Sequence, residues 1–485
     1  MNFARDVVDA APTHRCALVE IAREGARKEW TFGEVAERST GLAGTLQKRG
    51  VTRGDVVMTL IGNRPEWVLA MVACFRIGAV VLPCNEQLRA KDLRLRLEAA
   101  LPKLIVADER NLSELSKARP QCDVMTIPDR ALYETDVTAQ AAELRPSDPC
   151  LITFTSGTTG EPKGVVHGQR YLPGQRLQAE HWLDAREGDL VWCTAASGWS
   201  KSARNVFIAP WIRGAAALLH DARFDPAERL EVLGRERVTV LCMAPTEYRV
   251  IAKRVSIPPL PNVRTLVAAG EALNPEVIRA FKDATGIEIR DGYGQTETGQ
   301  LTANPAGAPV RPGSMGLPLP GVDLRVEGSE LVLASPRTDP TFFVGYVGGE
   351  PAREDAPWRT GDRVREDEDG YLFFEGRLDD VIITAGYRVG PFEVESALVS
   401  HPAVAEAAVV AAPDEERGAV VRAVLVLRDG FAPSEGLVCE LQSHVKRETA
   451  PYKYPRMIEF VPELPKTASG KVKRAQLRDG HGVGG

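Results

Sequence analysis

The ten residues 155–164, TSGTTGEPKG, are the stretch of this chain furthest from ordinary core or surface composition. Gly157, Gly160 and Gly164 accept backbone angles that other residues resist, so successive amide N–H groups can turn toward one centre and cradle an anion. Thr155, Ser156, Thr158 and Thr159 add hydroxyl donors, and Lys163 adds a positive charge. Such a loop suits the phosphates of a nucleotide. It is not the P-loop of nucleotide hydrolases, which needs GxxxxGK followed by Ser or Thr, because Gly164 follows Lys163. A flexible linker is the alternative, but the flanking runs Cys150–Phe154 and Gly164–Val166 read as buried strands, and a loop clamped between two strands is a poor linker.

Other residues of the same kind recur downstream. Ala269-Gly270-Glu271 and Asp291-Gly292-Tyr293-Gly294-Gln295-Thr296-Glu297-Thr298 each follow an apolar run that reads as a strand. Ligands of open α/β sheets lie beyond the carboxyl ends of strands, so both loops can reach the crevice served by the first. Glycines around Tyr293 let an aromatic face approach a base, Thr296 offers a hydroxyl, and Glu297 offers a carboxylate for Mg²⁺. In Trp358-Arg359-Thr360-Gly361-Asp362 an aspartate could accept two ribose hydroxyls, with a structural turn as the alternative. Trp199 stands beside the small residues 195–198, a large wall next to empty space that fits an apolar ligand. Lys471 ends a small-residue loop, 466–471, within a basic C-terminal stretch.

These groups need elements to position them. Helical spacing over 31–49, 67–77 and 90–100 alternates with apolar runs at 56–61, 78–83 and 104–107, which predicts an α/β sheet. The segment 107–149 is polar and reads as peripheral. A helix is expected over 171–182. Trp199, Ala203, Phe207 and Trp211 recur at steps of four, and Phe207 and Trp211 read as core. Strands end at 268 and 290, and beyond 312 short runs with turns predict a small β unit. After Gly376-Arg377-Leu378-Asp379 the pattern becomes strand, helix 391–400, strands 404–411 and 419–427, helix 434–447 and strand 457–460, a unit large enough to fold alone.

Composition narrows the classes. The 485 residues exceed one ordinary core, and 44% hydrophobic with 26% charged residues is normal for a globular protein. A net charge of -6 argues against a nucleic-acid binder that works through a general basic field. No apolar run is long enough to span a membrane, and the N-terminus lacks a signal-like apolar stretch, so a cytoplasmic location is expected. The eight cysteines are scattered with no CxxC pair and read as reduced core residues.

Taken together, TSGTTGEPKG, AAGEAL, DGYGQTET, WRTGD, GRLDDVIITAGYRVGPFEVE and PKTASGK, in this order, resemble the ANL superfamily of adenylate-forming enzymes over nearly the whole chain. GWSKSARNVFIAPWIRGA, APTEYR and APYKYPR resemble its medium-chain acyl-CoA synthetases, a subgroup that also accepts aromatic acids. The chain departs from that subgroup at Ala196-Ser197, where the subgroup often has Asp-Thr before the shared Gly-Trp. The resemblance implies a large N-terminal α/β domain with a small β unit, 1–378, and a mobile C-terminal α/β domain, 379–485, joined at the hinge residue Asp379. It implies that a carboxylic acid is activated by ATP to an acyl-adenylate and passed to CoA, by a monomer or homodimer; a stand-alone enzyme loading a carrier-protein thiol shares every ATP motif.

The resemblance also assigns roles. Thr155, Ser156, Gly157, Thr158, Thr159, Gly160 and Lys163 would hold the phosphates, and Glu297 would hold Mg²⁺. Gly270, Glu271 and Ala272 with Asp291, Gly292, Tyr293 and Gly294 would line the adenine. Thr296 would contact the α-phosphate, and Asp362 with Arg377 the ribose. Lys471 matches the adenylation lysine. Gly386, Tyr387, Arg388, Arg417 and Lys446 would meet CoA, and Trp199, Gly270 and Gly294 would shape the acid pocket.

Overall fold

The computed structural model describes residues 1–129, 137–155, 162–271, 273–384, 387–414, 417–467 and 471–478. The helix Pro65–Ile77 organises the large N-terminal part. Its residues Trp67 to Ala73 are buried on every face, the pattern of a helix packed inside rather than along a surface. Pro65 is pre-set for the first helical turn, and Gly78, at φ +74°, supplies the left-handed residue that ends the last one. Trp67 and Phe75 are each fully buried, worth about 1.5–3 kcal/mol apiece against exposure.

Sheets lie against this core on both sides, since Val57, Val81 and Leu104 of one and Leu18, Val191 and Ala217 of the other share its cluster. The seven-stranded sheet runs Gly345–Tyr346, Gly164–Gly168, Pro149–Phe154, Val80–Cys84, Val56–Leu60, Leu104–Asp108, Asp123–Ile127. The second sheet has thirteen strands. Its parallel heart carries Thr265–Ala269, Val240–Met243 and Leu190–Cys193, and its far end is an antiparallel unit that includes Trp358–Glu366 and Leu372–Arg377. A small C-terminal α/β domain follows, with a three-stranded sheet of Val404–Asp414, Gly418–Leu427 and Met457–Phe460 and a separate core of Val394, Leu398, Val409 and Leu441.

Four expectations change. The segment 107–149 is not wholly peripheral: Asp123–Ile127 pairs with Leu104–Asp108 and carries the buried Met125 and Ile127. The helix expected over 171–182 divides into Tyr171–Gly174 and Arg176–His181, with Gln175 at the division. Of the residues at steps of four, Phe207 and Trp211 lie on a π-helical turn, Arg204–Ile208, continued by Ala209–Ile212, while Trp199 stands in the turn before it. Phe207 and Trp211 are buried as expected. The strand expected to end at 290 runs Ile289–Gln295, so half of the glycine-rich motif is strand, paired antiparallel with Gly299–Ala303.

Candidate active site

The phosphate-type loop is the tip of an antiparallel hairpin in which Phe154 faces Gly164. Its neck is closed twice: Thr155 N–H donates to the Lys163 carbonyl at 2.9 Å, and Lys163 N–H donates to Thr155 Oγ1 at 3.0 Å. Ser156, Gly157, Thr158, Thr159 and Gly160 lie outside the described residues, as do Ala272 and Gly386. Beside the neck, the two-residue strand Gly345–Tyr346 pairs with Val165 and Val166. Lys163 Nζ sits 5.4 Å from the Tyr346 ring centroid, and the Tyr346 hydroxyl donates to Glu297 Oε1 at 2.9 Å. Tyr346 therefore ties the loop to the carboxylate expected to hold Mg²⁺. Nothing in its local sequence pointed to it.

Strand Ile289–Gln295 brings the next group together. Tyr293 donates its hydroxyl to Asp362 Oδ2 at 2.5 Å, and Gln295 Nε2 donates to the same oxygen at 2.8 Å. Arg377 reaches Asp362 Oδ1 at 3.2 Å and the Thr360 carbonyl at 3.0 Å. Trp358 Nε1 fixes the other end of Gln295 at 3.0 Å. Burial pushes the Asp362 carboxyl up, while Tyr293, Arg377 and Gln295 favour its charged form. Gln295 is a residue that sequence reasoning passed over, although it stands inside the quoted motif. Two of the motif's glycines are required by packing: a Cβ on Gly292 would lie 2.3 Å from Gln300 Nε2, and one on Gly294 1.8 Å from the Gly299 carbonyl oxygen. Asp291 is buried beside them, accepts Gly292 N–H on Oδ1 at 2.9 Å, and is held well above the usual carboxylate range by that burial.

Lys471 reaches this cluster from the C-terminal domain. Lys466 and Val472 pair as a bridge, Thr467 N–H donates to the Lys471 carbonyl at 2.8 Å, and Lys471 N–H donates to Thr467 Oγ1 at 3.2 Å. Burial pushes the Lys471 ammonium below its ordinary value; Glu271 and Asp362 oppose that shift, and Lys201 and Arg377 add to it. Glu271 accepts the Thr246 hydroxyl at 2.6 Å. Thr296 and Glu297 lie partly exposed on the turn after Gln295.

A cavity of about 270 Å³ opens beside these groups, lined by Trp199, Lys201, Ala195, Ser197, Thr246 and Glu247 among others. Gly270 and Gly294 are not among its walls. Gly270, at φ +101°, instead faces Lys201, whose Nζ would lie 3.1 Å from an added Cβ and donates to the Ala269 carbonyl at 2.9 Å.

The remaining residues lie on the C-terminal domain or its approach. Tyr387, 54% exposed, stacks on Tyr452 at 4.4 Å. Lys446 Nζ lies 4.0 Å over the Tyr454 ring, and Arg417 N–H donates to Asp414 Oδ1 at 2.9 Å. The Arg388 side chain is outside the described set. Asp379 pairs with Arg377 at 3.4 Å, so one guanidinium touches both Asp362 and the expected hinge. Lys253 of the large part donates to the Ala405 carbonyl at 2.7 Å.

Comparison with known proteins identifies the family. A family model described as AMP-binding enzyme matches residues 5–337, and one described as AMP-binding enzyme C-terminal domain matches 393–471. A mitochondrial acyl-coenzyme A synthetase of Rattus norvegicus is 39% identical over 99% of this chain and 90% of its own length. An uncharacterized acyl-CoA ligase of Bacillus subtilis is 38% identical over 97% of this chain and 94% of its own. Among solved structures, an anthranilate CoA ligase in complex with anthranoyl-AMP superposes with a TM-score of 0.89 at 30% identity, over 98% of this chain and 96% of that one. A benzoate CoA ligase from Burkholderia xenovorans superposes with 0.88 at 29% identity, over 99% and 100%.

Proposed function

We propose that this chain, which belongs to the AMP-binding enzyme family and is an AMP-forming acid–thiol ligase, activates a medium-chain fatty or aromatic carboxylic acid and delivers it to CoA. One carboxylate oxygen attacks the α-phosphorus of ATP, and the bond to pyrophosphate breaks. The thiolate of CoA then attacks the acyl carbonyl, and AMP leaves. The observation that carries this reading is the Tyr293–Asp362–Gln295–Arg377 cluster with Lys471 brought to it from another domain.

Each residue has work suited to its chemistry. Asp362 is held to accept ribose hydroxyls, with Tyr293 fixed by its own hydroxyl so that the ring can face the adenine. Lys163 and the loop 155–160 take the phosphates. Lys471 places a positive charge between the acid's carboxylate and the α-phosphate, where negative charge gathers in the transition state. Glu297 fits Mg²⁺: Tyr346 uses only its Oε1, and one carboxylate suits an ion that keeps waters and phosphate oxygens. When bound, Mg²⁺ would neutralise charge on the phosphates.

The two halves, 1–378 and 379–485, would then turn about Asp379, withdrawing Lys471 and bringing Tyr387, Arg388, Arg417 and Lys446 to the CoA phosphates. The test is acid-dependent AMP release with and without CoA, across short, medium and aromatic acids. AMP formed rapidly only with CoA, and best with one medium or aromatic acid, supports the reading. Pyrophosphate release to which CoA adds nothing points instead to a carrier-protein thiol. An Arg417→Ala/Lys446→Ala double variant should raise the KM for CoA; an unchanged KM removes those residues from the site.

A further inference from the structure

Three adjacent parallel strands, Val240–Met243, Leu190–Cys193 and Ala216–His220, end at the cavity lined by Trp199. Asn85 reaches it from the end of Val80–Cys84 in the other sheet. Ligands of such sheets lie beyond the carboxyl ends of the strands. Lys201 and Thr246 also line the cavity and tie it to the reacting groups. Lys201 donates to the Ala269 carbonyl, Thr246 donates to Glu271, and the charges of Lys201 and Glu271 both act on Lys471.

Part of the cavity wall is a polar network. Arg229, on the helix Pro226–Arg235, donates from Nη2 to Glu247 Oε1 at 3.1 Å, and the Thr194 hydroxyl donates to Glu247 Oε2. All three residues line the cavity. The Trp192 ring, 4.6 Å from the guanidinium, holds it from one side. Arg229 Nε, His220 Nδ1 and Asn85 Nδ2 are buried and have no hydrogen-bond partner in the protein, on cavity-lining residues that are 6%, 7% and 3% exposed. Buried polar groups call for partners, and a ligand oxygen would supply one.

We infer that the Arg229–Glu247 pair determines specificity, and that the preferred substrates are medium-chain or aromatic acids carrying a hydroxyl remote from the reacting carboxylate. This rests on the ligase reading above and narrows it. A hydroxyl can accept from an unpartnered nitrogen and donate to Glu247, whose oxygens keep lone pairs beyond the two bonds described. A second carboxylate would bring its charge to a cation already paired with Glu247, and it has no proton to give that acid. A plain alkyl or phenyl tail would strip water from the pair and return no hydrogen bond, and sites built to bond a hydroxyl reject analogues that lack it.

The experiment reads acid-dependent AMP release with CoA as kcat/KM in the full-length protein. Hexanoate and octanoate are compared with their terminally hydroxylated forms, benzoate with each of its ring-hydroxylated forms, and hexanedioate serves as the charged comparison. Wild type should favour at least one hydroxy acid over its parent by about tenfold to a hundredfold, and should use hexanedioate no better than hexanoate. The double variant Glu247→Leu/Arg229→Met removes both charges together, so neither is left buried alone. It should lose the preference while using the parent acids at least as well as wild type does. A wild type that favours no hydroxy acid over its parent, or that uses hexanedioate best, overturns the inference and leaves the ligase reading standing. So does a double variant that keeps the preference. The wild-type comparison decides the matter even where the variant folds poorly. Absence of AMP release with every acid contradicts both readings.

Discussion

At the scale of single residues, the chemistry proposed here depends on how charges are buried. Lys471 is the clearest case. In the proposed reaction its ammonium serves the first half-reaction, and burial lowers its pKa below the ordinary lysine value of 10.5. A depressed pKa means that the charged form is lost at lower pH than usual. The rate of adenylate formation should therefore fall as pH rises through that lowered value, before an ordinary lysine would titrate. Lys471→Arg should be slower but free of that fall, since a guanidinium keeps its proton across the range. A pH profile of acid-dependent pyrophosphate exchange checks this; the same alkaline limb in both proteins would contradict it. Much of this cluster was legible in the sequence, because Tyr293, Asp362, Arg377 and Lys471 stand in motifs whose residue types advertise their chemistry. Tyr346 and Gln295 were not, since their importance comes from hydrogen bonds to Glu297 and Asp362, and partners so distant in the chain leave no local signature.

At the scale of elements, hydrophobic periodicity located helices and strands well where one face is buried, as in Ala90–Ala100 and Pro391–Ser400. It stopped short where glycine takes the place of apolar residues: the motif strand Ile289–Gln295 is too rich in glycine to read as a strand. Close backbone approach accounts for that glycine content. Gly316 shows the same constraint nearby: it has φ +87°, and a Cβ there would lie 1.9 Å from the Ala303 carbonyl carbon, where its strand pairs antiparallel with the second strand of the motif hairpin. Gly316→Ala should cost at least about 1–3 kcal/mol from overpacking alone, with further strain from the positive φ, and should lower the melting temperature. A melting temperature equal to wild type would show that the strand can shift without loss.

At the scale of the whole molecule, the proposed reaction asks two separately cored parts to share one site and then to rearrange. A change of pattern in the sequence suggests a division near Asp379, but says nothing of what holds the parts together. Lys253 donates to the carbonyls of Ala405, at 2.7 Å, and Val404, at 3.4 Å, and Asn274 Nδ2 donates to Ser396 Oγ at 3.3 Å. Burial, with Arg428 and Arg249 nearby, pushes the Lys253 ammonium down to about 8. These bonds favour the arrangement that presents Lys471, so Lys253→Ala should slow adenylate formation more than thioester formation and increase proteolytic cleavage around 379. Equal effects on both half-reactions would remove Lys253 from that role. The central claim is that Lys471 serves the first half-reaction alone. The most direct measurement compares wild type and Lys471→Ala in pyrophosphate exchange and in CoA thioester formation from supplied acyl-adenylate. The account predicts that the variant loses exchange by several orders of magnitude while thioester formation stays near wild type, and equal loss of both would contradict it.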